Sequence, residues 1–147
     1  MRVCTLSVLL LLALSITACA SFTARPGELQ SFASACDKPN EGLDIAVEGY
    51  LRLPDSFSDS STIELHLYAD LSFSGKPIGV MMQFGNGPNQ VRLIHSSYRD
   101  EDLKVHLADG MVIPFRTKVR VSGRMFFPAI PQDFECGLEH VYVQRAK

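Results

Sequence analysis

The sequence contains no Trp, and its charges nearly cancel: 14 Lys and Arg against 16 Asp and Glu give a formal net charge of -2. Such a charge excludes a strongly basic nucleic-acid binder, which needs a positive field to attract phosphates. A collagen-like period, coiled-coil heptads and a dense cysteine framework are also missing from the 147 residues. This length suits one compact domain, so a single globular domain is expected.

The longest apolar run lies at the N-terminus, within residues 1–18. Arg2 precedes it, Ser7 is its only polar interruption between Leu6 and Leu14, and small residues follow. The run is too short to span a bilayer, which takes about 20 residues. A basic residue, an apolar run and small residues in this order are typical of a secretory signal peptide. We therefore predict that residues 1–18 are removed from an exported protein.

The end of this leader, Ile16-Thr17-Ala18-Cys19, resembles the lipobox of bacterial lipoproteins. The resemblance implies that Cys19 begins the mature chain and carries palmitate-type acyl chains that anchor it to a membrane. Ala20 differs from the Asp that resembles an inner-membrane retention signal in enteric bacteria, which implies the outer membrane, facing the periplasm, for a Gram-negative source. The alternative is secretory cleavage after Ala20, which gives a soluble secreted or periplasmic protein.

Two cysteines remain for the folded domain, Cys36 and Cys136, because Cys4 lies in the leader and Cys19 is the acyl site. An even pair in an exported protein predicts a disulfide. Closing a loop of about 100 residues stabilises a fold by about 4–5 kcal/mol in the chain-entropy model. A metal-binding or catalytic cysteine pair is the alternative.

The composition changes at residue 43. Residues 19–42 are rich in Ala, Ser, Pro and Gly and predict a lipidated tether, in which Pro26 and the apolar residues after it favour a short helix over residues 27–35. From residue 43 the apolar period is two, in seven or so short runs that end with residues 138–144. We predict an all-β domain over residues 43–147, either a small barrel or a β-sandwich.

Two long predicted strands, Val47–Leu51 and Val119–Met125, are interrupted by Gly49 and Gly123. They resemble the first and fourth strands of an OB-fold, where such a Gly lets the strand bend between two sheets. The resemblance implies a small OB-like barrel, with a sandwich as the rival topology. Residues 96–102 and a strand-like run stand where an OB-fold usually has a helix.

The sequence lacks the nucleophile elbow, the zinc-protease motif, the phosphate loop and the EF-hand spacing. We therefore predict a non-enzymatic binding or envelope-assembly module with no cofactor and no metal. Two alternatives stay open. One is a periplasmic hydrolase whose histidines and acidic residues are brought together by the fold, and the other is a purely structural envelope protein.

A basic row is the most organised polar feature of the sequence. Alternation places its four members on one face of a single strand, where they would attract anionic lipid or glycan. Cross-strand pairing with Asp44 and Glu48 is the interpretation we favour. The row consists of Arg116, Lys118, Arg120 and Arg124.

A second candidate surface follows from the OB-fold resemblance, in which the loops after the first and fourth strands flank the binding face. The implied binding residues are Phe57, His66, Tyr68, Phe127 and Phe134. In the alternative, the apolar loop residues fold under and close the barrel end. The expected partners are a membrane through the anchor and an envelope protein, a glycan or anionic lipid. Nucleic acid is not expected, because the outward positions lack the several stacking aromatics that single strands need.

Overall fold

The computed structural model describes residues 24–56, 61–95, 97–130 and 132–147, and this part of the chain is all-β. Short 3₁₀ turns lie at Lys38–Asn40 and Asp100–Asp102. The strands are β1 (Glu28–Leu29), β2 (Asp44–Arg52), β3 (Thr62–Tyr68), β4 (Ile78–Phe84), β5 (Gln90–Val91), β6 (Lys104–His106), β7 (Val112–Pro114), β8 (Lys118–Phe126) and β9 (Gly137–Arg145).

Five of these strands close into a barrel. β2 pairs antiparallel with β3 and β8, β3 pairs antiparallel with β4, and β9 pairs antiparallel with β8 and parallel with β4. Around the ring, β2 is followed by β3, β4, β9 and β8, and β8 pairs again with β2. Counted along the chain, these are the first, second, third, fifth and fourth strands of the barrel. This is the strand order of an OB-fold, so the predicted small OB-like barrel is confirmed and the sandwich alternative is wrong.

The two glycines that suggested the fold lie where neighbouring strands come closest. A Cβ on Gly49 would collide with the backbone oxygen of Tyr68, and one on Gly123 would collide with that of Glu139. Between these points the alternating apolar residues of β2 and β8 point inward, including the fully buried Val47 and Val121. The predicted period of two therefore fills the barrel core.

The sheet continues where an OB-fold usually has a helix. β5 pairs parallel with the end of β4, and β6 pairs antiparallel with β5 and β7. The turn between β6 and β7 contains Gly110, whose φ of 83° suits a residue without a side chain. Three short strands thus replace the helix.

The N-terminal part of the described chain packs on the barrel. β1 runs parallel to β2, the Gln30 amide donates to the Ala46 carbonyl at 2.8 Å, and Ala35 is fully buried. The short helix predicted over residues 27–35 is not formed, because residues 28–29 form β1, which pairs with β2, and turns follow it. We call residues 24–42, which the sequence predicted to be tether, the N-terminal brace.

The brace is joined to the barrel by the disulfide between Cys36 and Cys136, whose Cα atoms are 5.5 Å apart. The predicted disulfide is confirmed, and it ties the brace to the start of β9.

The lipobox, Cys19 and Phe57 lie outside the described residues. Within the described ranges, the structure has no helix of the length and apolar character that crossing a membrane takes.

Candidate binding cleft

The basic row of β8 lies opposite the acidic residues of β2, and Glu48 lies between two of its cations. Arg120 donates to Glu48 Oε1 from Nε at 3.1 Å and from Nη2 at 2.7 Å. Lys118 Nζ lies 3.2 Å from the other oxygen, Oε2. The hydrogen bond from Arg120, followed by that from Lys118, lowers the pKa of Glu48 below its usual value.

Asp44 lies between cations in the same way, but one of them comes from the brace. Arg25 donates to Asp44 Oδ2 from Nε at 3.2 Å and from Nη2 at 2.7 Å, and Arg124 Nε lies 3.6 Å from Oδ1. The hydrogen bond from Arg25 is the main cause of the lowered pKa of Asp44. The favoured interpretation of the basic row, cross-strand pairing, is confirmed for Lys118, Arg120 and Arg124.

Arg116 does not join this row. It precedes β8 with a φ of 67°, and its guanidinium lies 5.6 Å from the centroid of the Phe115 ring. A positive φ redirects the side chain away from the line that alternation predicts. The three members that remain on β8 share the carboxylates of Glu48 and Asp44 with Arg25, so four cations face two acids and this face keeps a positive excess.

The outward face of β3 is covered by rings. His66 and Tyr68 are each only 8% exposed, and the Phe134 ring lies 6.5 Å from that of His66. Neighbouring ring centroids lie between 5.4 and 6.5 Å apart, in T-shaped, tilted and stacked pairs, distances at which aromatic pairs attract. We call this chain of rings the aromatic belt: Phe126, Phe134, His66, Tyr68, Phe73 and Phe115.

Phe134 reaches the belt from the loop between β8 and β9. It is 5% exposed, and its ring would be 2.9 Å from a Cβ on Gly79, so the absence of a side chain there admits it. Phe127 is partly buried, with Lys38 Nζ 3.9 Å from its ring centroid. Phe134 thus packs on the outer face of the sheet and not across the barrel end, and a part for His66, Tyr68, Phe127 and Phe134 in binding stays a prediction.

The belt leaves one part of the β3–β4 face open. β4 and β9 pair only at Gly79 with Gly137 and Val80 with Leu138, and beyond these pairs the two strands diverge. A cleft of about 340 Å³ opens at this point. Its lining comes from β3, β4, β9, the start of β5 with the loop before it, and the first described residue of the brace: Thr62, Met81, Met82, Gln83, Pro88, Asn89, Gln90, Glu139, His140, Val141 and Ala24.

Two amide side chains on the rim of this cleft are held by their oxygens. Asn89 Oδ1 accepts from the Val143 amide at 2.8 Å, and Gln90 Oε1 accepts from the Gly87 amide at 2.7 Å. Each side chain keeps an NH₂ group that carries two donors. Asn89 has a φ of 57°, a left-handed conformation that Asn adopts more readily than most residues. The rim is therefore oriented before any ligand arrives.

The charge of the lining is acidic, because it contains Glu139 and His140 but no Lys or Arg. Glu64 lies beside it, opposite Met81 in the β3–β4 register. Burial raises the pKa of Glu64 above its usual value, although His66 opposes the shift from 3.6 Å. The lining thus combines the apolar side chains of Met81, Met82 and Val141 with amide groups and the Glu139 carboxylate.

Two histidines lie near carboxylates, which bears on the hydrolase alternative. His66 Nε2 is 3.6 Å from Glu64 Oε1, and His140 Nε2 is 3.9 Å from Glu139 Oε1. Both separations are longer than the roughly 2.7–3.2 Å of an ordinary N–H···O hydrogen bond. The hydrolase stays an alternative prediction without further support.

No protein-family model, curated protein or solved structure matches this chain significantly. The interpretation of the cleft as a binding site therefore depends on its geometry alone. Sequence reasoning missed Met81, Gln83, Asn89 and Gln90 as site residues. The dense turn signal at residues 85–89 was the available hint, because it marks the loop that carries one wall of the cleft.

Proposed function

We propose that this protein is a lipid-anchored, non-enzymatic binding module of the cell envelope, and that its cleft binds a neutral glycan. The observation that carries the proposal is the open cleft on the β3–β4 face, in which two amides fixed through their oxygens stand among polar and apolar side chains. This face of OB-folds binds oligosaccharides and oligonucleotides. A few placed polar groups on an apolar lining are also typical of ligand sites.

The charge of the cleft favours the glycan over the oligonucleotide. Sugar hydroxyls both donate and accept, so they match amide N–H donors together with the Glu139 carboxylate. Phosphate groups require Lys or Arg, and the lining contains neither. Anionic lipid headgroups are disfavoured by the same argument.

The anchor is supported by the lipobox at Ile16–Cys19. Metabolic labelling with a palmitate analogue tests it, with Cys19→Ala as the variant. We expect label on the wild-type protein and its loss from Cys19→Ala. Equal labelling of both proteins would contradict the anchor.

The cleft is tested with the purified mature chain and chitotetraose, a neutral oligosaccharide, by calorimetric titration. Gln83 is exposed on the cleft wall, and Gln83→Ala should raise Kd about 2- to 10-fold, since one hydrogen bond contributes about 0.5–1.5 kcal/mol. The matched control is Gln132→Ala, because Gln132 is also exposed but lies in the loop between β8 and β9. It should bind like wild type.

A heparin-derived tetrasaccharide provides the charged comparison and should bind at least tenfold more weakly than chitotetraose, because the cleft offers it no cation. The proposal fails if chitotetraose does not bind, if the two glutamine variants weaken it equally, or if the sulfated sugar binds better.

A further inference from the structure

The cleft and the N-terminal brace meet at one residue. Ala24, the first residue that the structure describes, lines the cleft. Its neighbour Arg25 is held by two hydrogen bonds to Asp44 on β2. β1 follows and pairs with β2 at Ile45 and Ala46. The described chain therefore begins at the rim of the cleft.

This arrangement limits how far the cleft can be from an acylated Cys19. Five residue steps separate Cys19 from Ala24, and a fully extended chain of that length spans at most about 18 Å. The tether predicted from the sequence, residues 19–42, would have a root-mean-square length of about 27 Å and a much longer reach. Because the brace packs on the barrel, most of that reach is removed.

We infer that the ligand of the cleft is the glycan headgroup of a membrane lipid; this rests on the proposed function and names its ligand class. A short tether holds a binding site at a high effective concentration of anything confined to the same surface. A sugar carried by a lipid stays within reach of such a cleft, whereas a soluble sugar gains nothing from the anchor. The anchor thus selects the lipid-borne form of a glycan that the cleft binds.

The test lengthens the tether and leaves the cleft unchanged. A Gly/Ser insert of about 20 residues is placed between Thr23 and Ala24 of the acylated protein, which is reconstituted in phosphatidylcholine vesicles. The vesicles carry chitotetraose coupled to phosphatidylethanolamine through a photoreactive linker. Cross-linking should fall about twofold with the insert, since anchor and lipid share one surface and the distance of the cleft from it grows as roughly the square root of tether length. Labelled peptides should contain residues 81–83 or 139–141.

A second measurement separates this inference from the proposed function. In detergent, free chitotetraose should bind the inserted and wild-type proteins with the same Kd, because the cleft is intact in both. Loss of this binding in wild type overturns the proposed function itself. Intact free binding together with equal cross-linking of both proteins on vesicles overturns only the inference, as does label that maps away from the cleft.

Discussion

The β2–β8 face and the β3–β4 face of the barrel are covered by different kinds of contact. On the first, Asp44 and Glu48 are paired with cations from β8 and the brace. On the second, Phe134 packs rings against β3 and fits over Gly79. The first face is closed by charge and the second by aromatic packing, which stops short and leaves the cleft.

The disulfide connects the two covers, because Cys36 belongs to the brace and Cys136 ends the loop that carries Phe134. Replacing both cysteines with Ser should therefore have the largest effect. The closed loop spans 100 residues, so we expect a loss of about 4–5 kcal/mol of unfolding free energy in the chain-entropy model. Urea denaturation measures it. A loss below about 1 kcal/mol would show that the covers hold without the bond.

The aromatic cover is tested by Phe134→Ala. This ring is 5% exposed, and truncating a buried Phe costs about 3–5 kcal/mol, with the low end expected at a loop site. Ile130→Ala in the same loop is the control, since Ile130 is 70% exposed and should change stability by less than about 0.5 kcal/mol. Thermal melts of the two variants compare them. Similar losses would mean that the loop does not close this face through Phe134.

The charged cover is tested by Glu48→Gln, with an expected loss of about 1 kcal/mol at neutral pH, the upper end for a surface pair. The lowered pKa of Glu48 sets the sign. Its contribution is present above the usual Glu pKa of about 4.3 and disappears as pH falls through the lowered value in the folded state. The melting difference between variant and wild type should therefore vanish in acid.

Glu135→Gln is the matched control for that experiment. Glu135 lies 3.6 Å from Lys76, but both side chains are more than half exposed, so solvent screens the pair. We expect no measurable change in melting at any pH. A difference for Glu48→Gln that does not shrink as the pH falls below the usual Glu pKa of about 4.3 would contradict the ion-pair explanation of this face.

The same contrast explains what the sequence could predict. Alternation places the basic row of β8 and the acids of β2 each on one face, so their cross-strand pairing could be predicted, whereas the strand register decided that Glu48 lies opposite Arg120. The disulfide followed from elimination, and the OB-like barrel from two glycines within long strands. These inferences needed only the local period or the residue count.

The cleft and the brace could not be predicted in this way. Met81 and Glu139 are far apart in the chain. They line one cleft, which opens because the parallel strands β4 and β9 diverge after two residue pairs. The fit of Phe134 over Gly79 also depends on the closed barrel. The brace has no periodic apolar pattern, and its position depends on β1, Arg25 and the disulfide. Its composition alone resembles a flexible linker.

The central claim, that the cleft where β4 and β9 diverge is the binding site, is tested most directly by methionine methyl NMR during titration with chitotetraose. Met81 lines the cleft, Met111 is exposed on the turn between β6 and β7, and Met125 is buried in the core. We predict a saturable shift of the Met81 methyl with Met111 and Met125 unchanged. A saturable shift at Met111 with Met81 unmoved, or no shift at any methyl, would contradict the account.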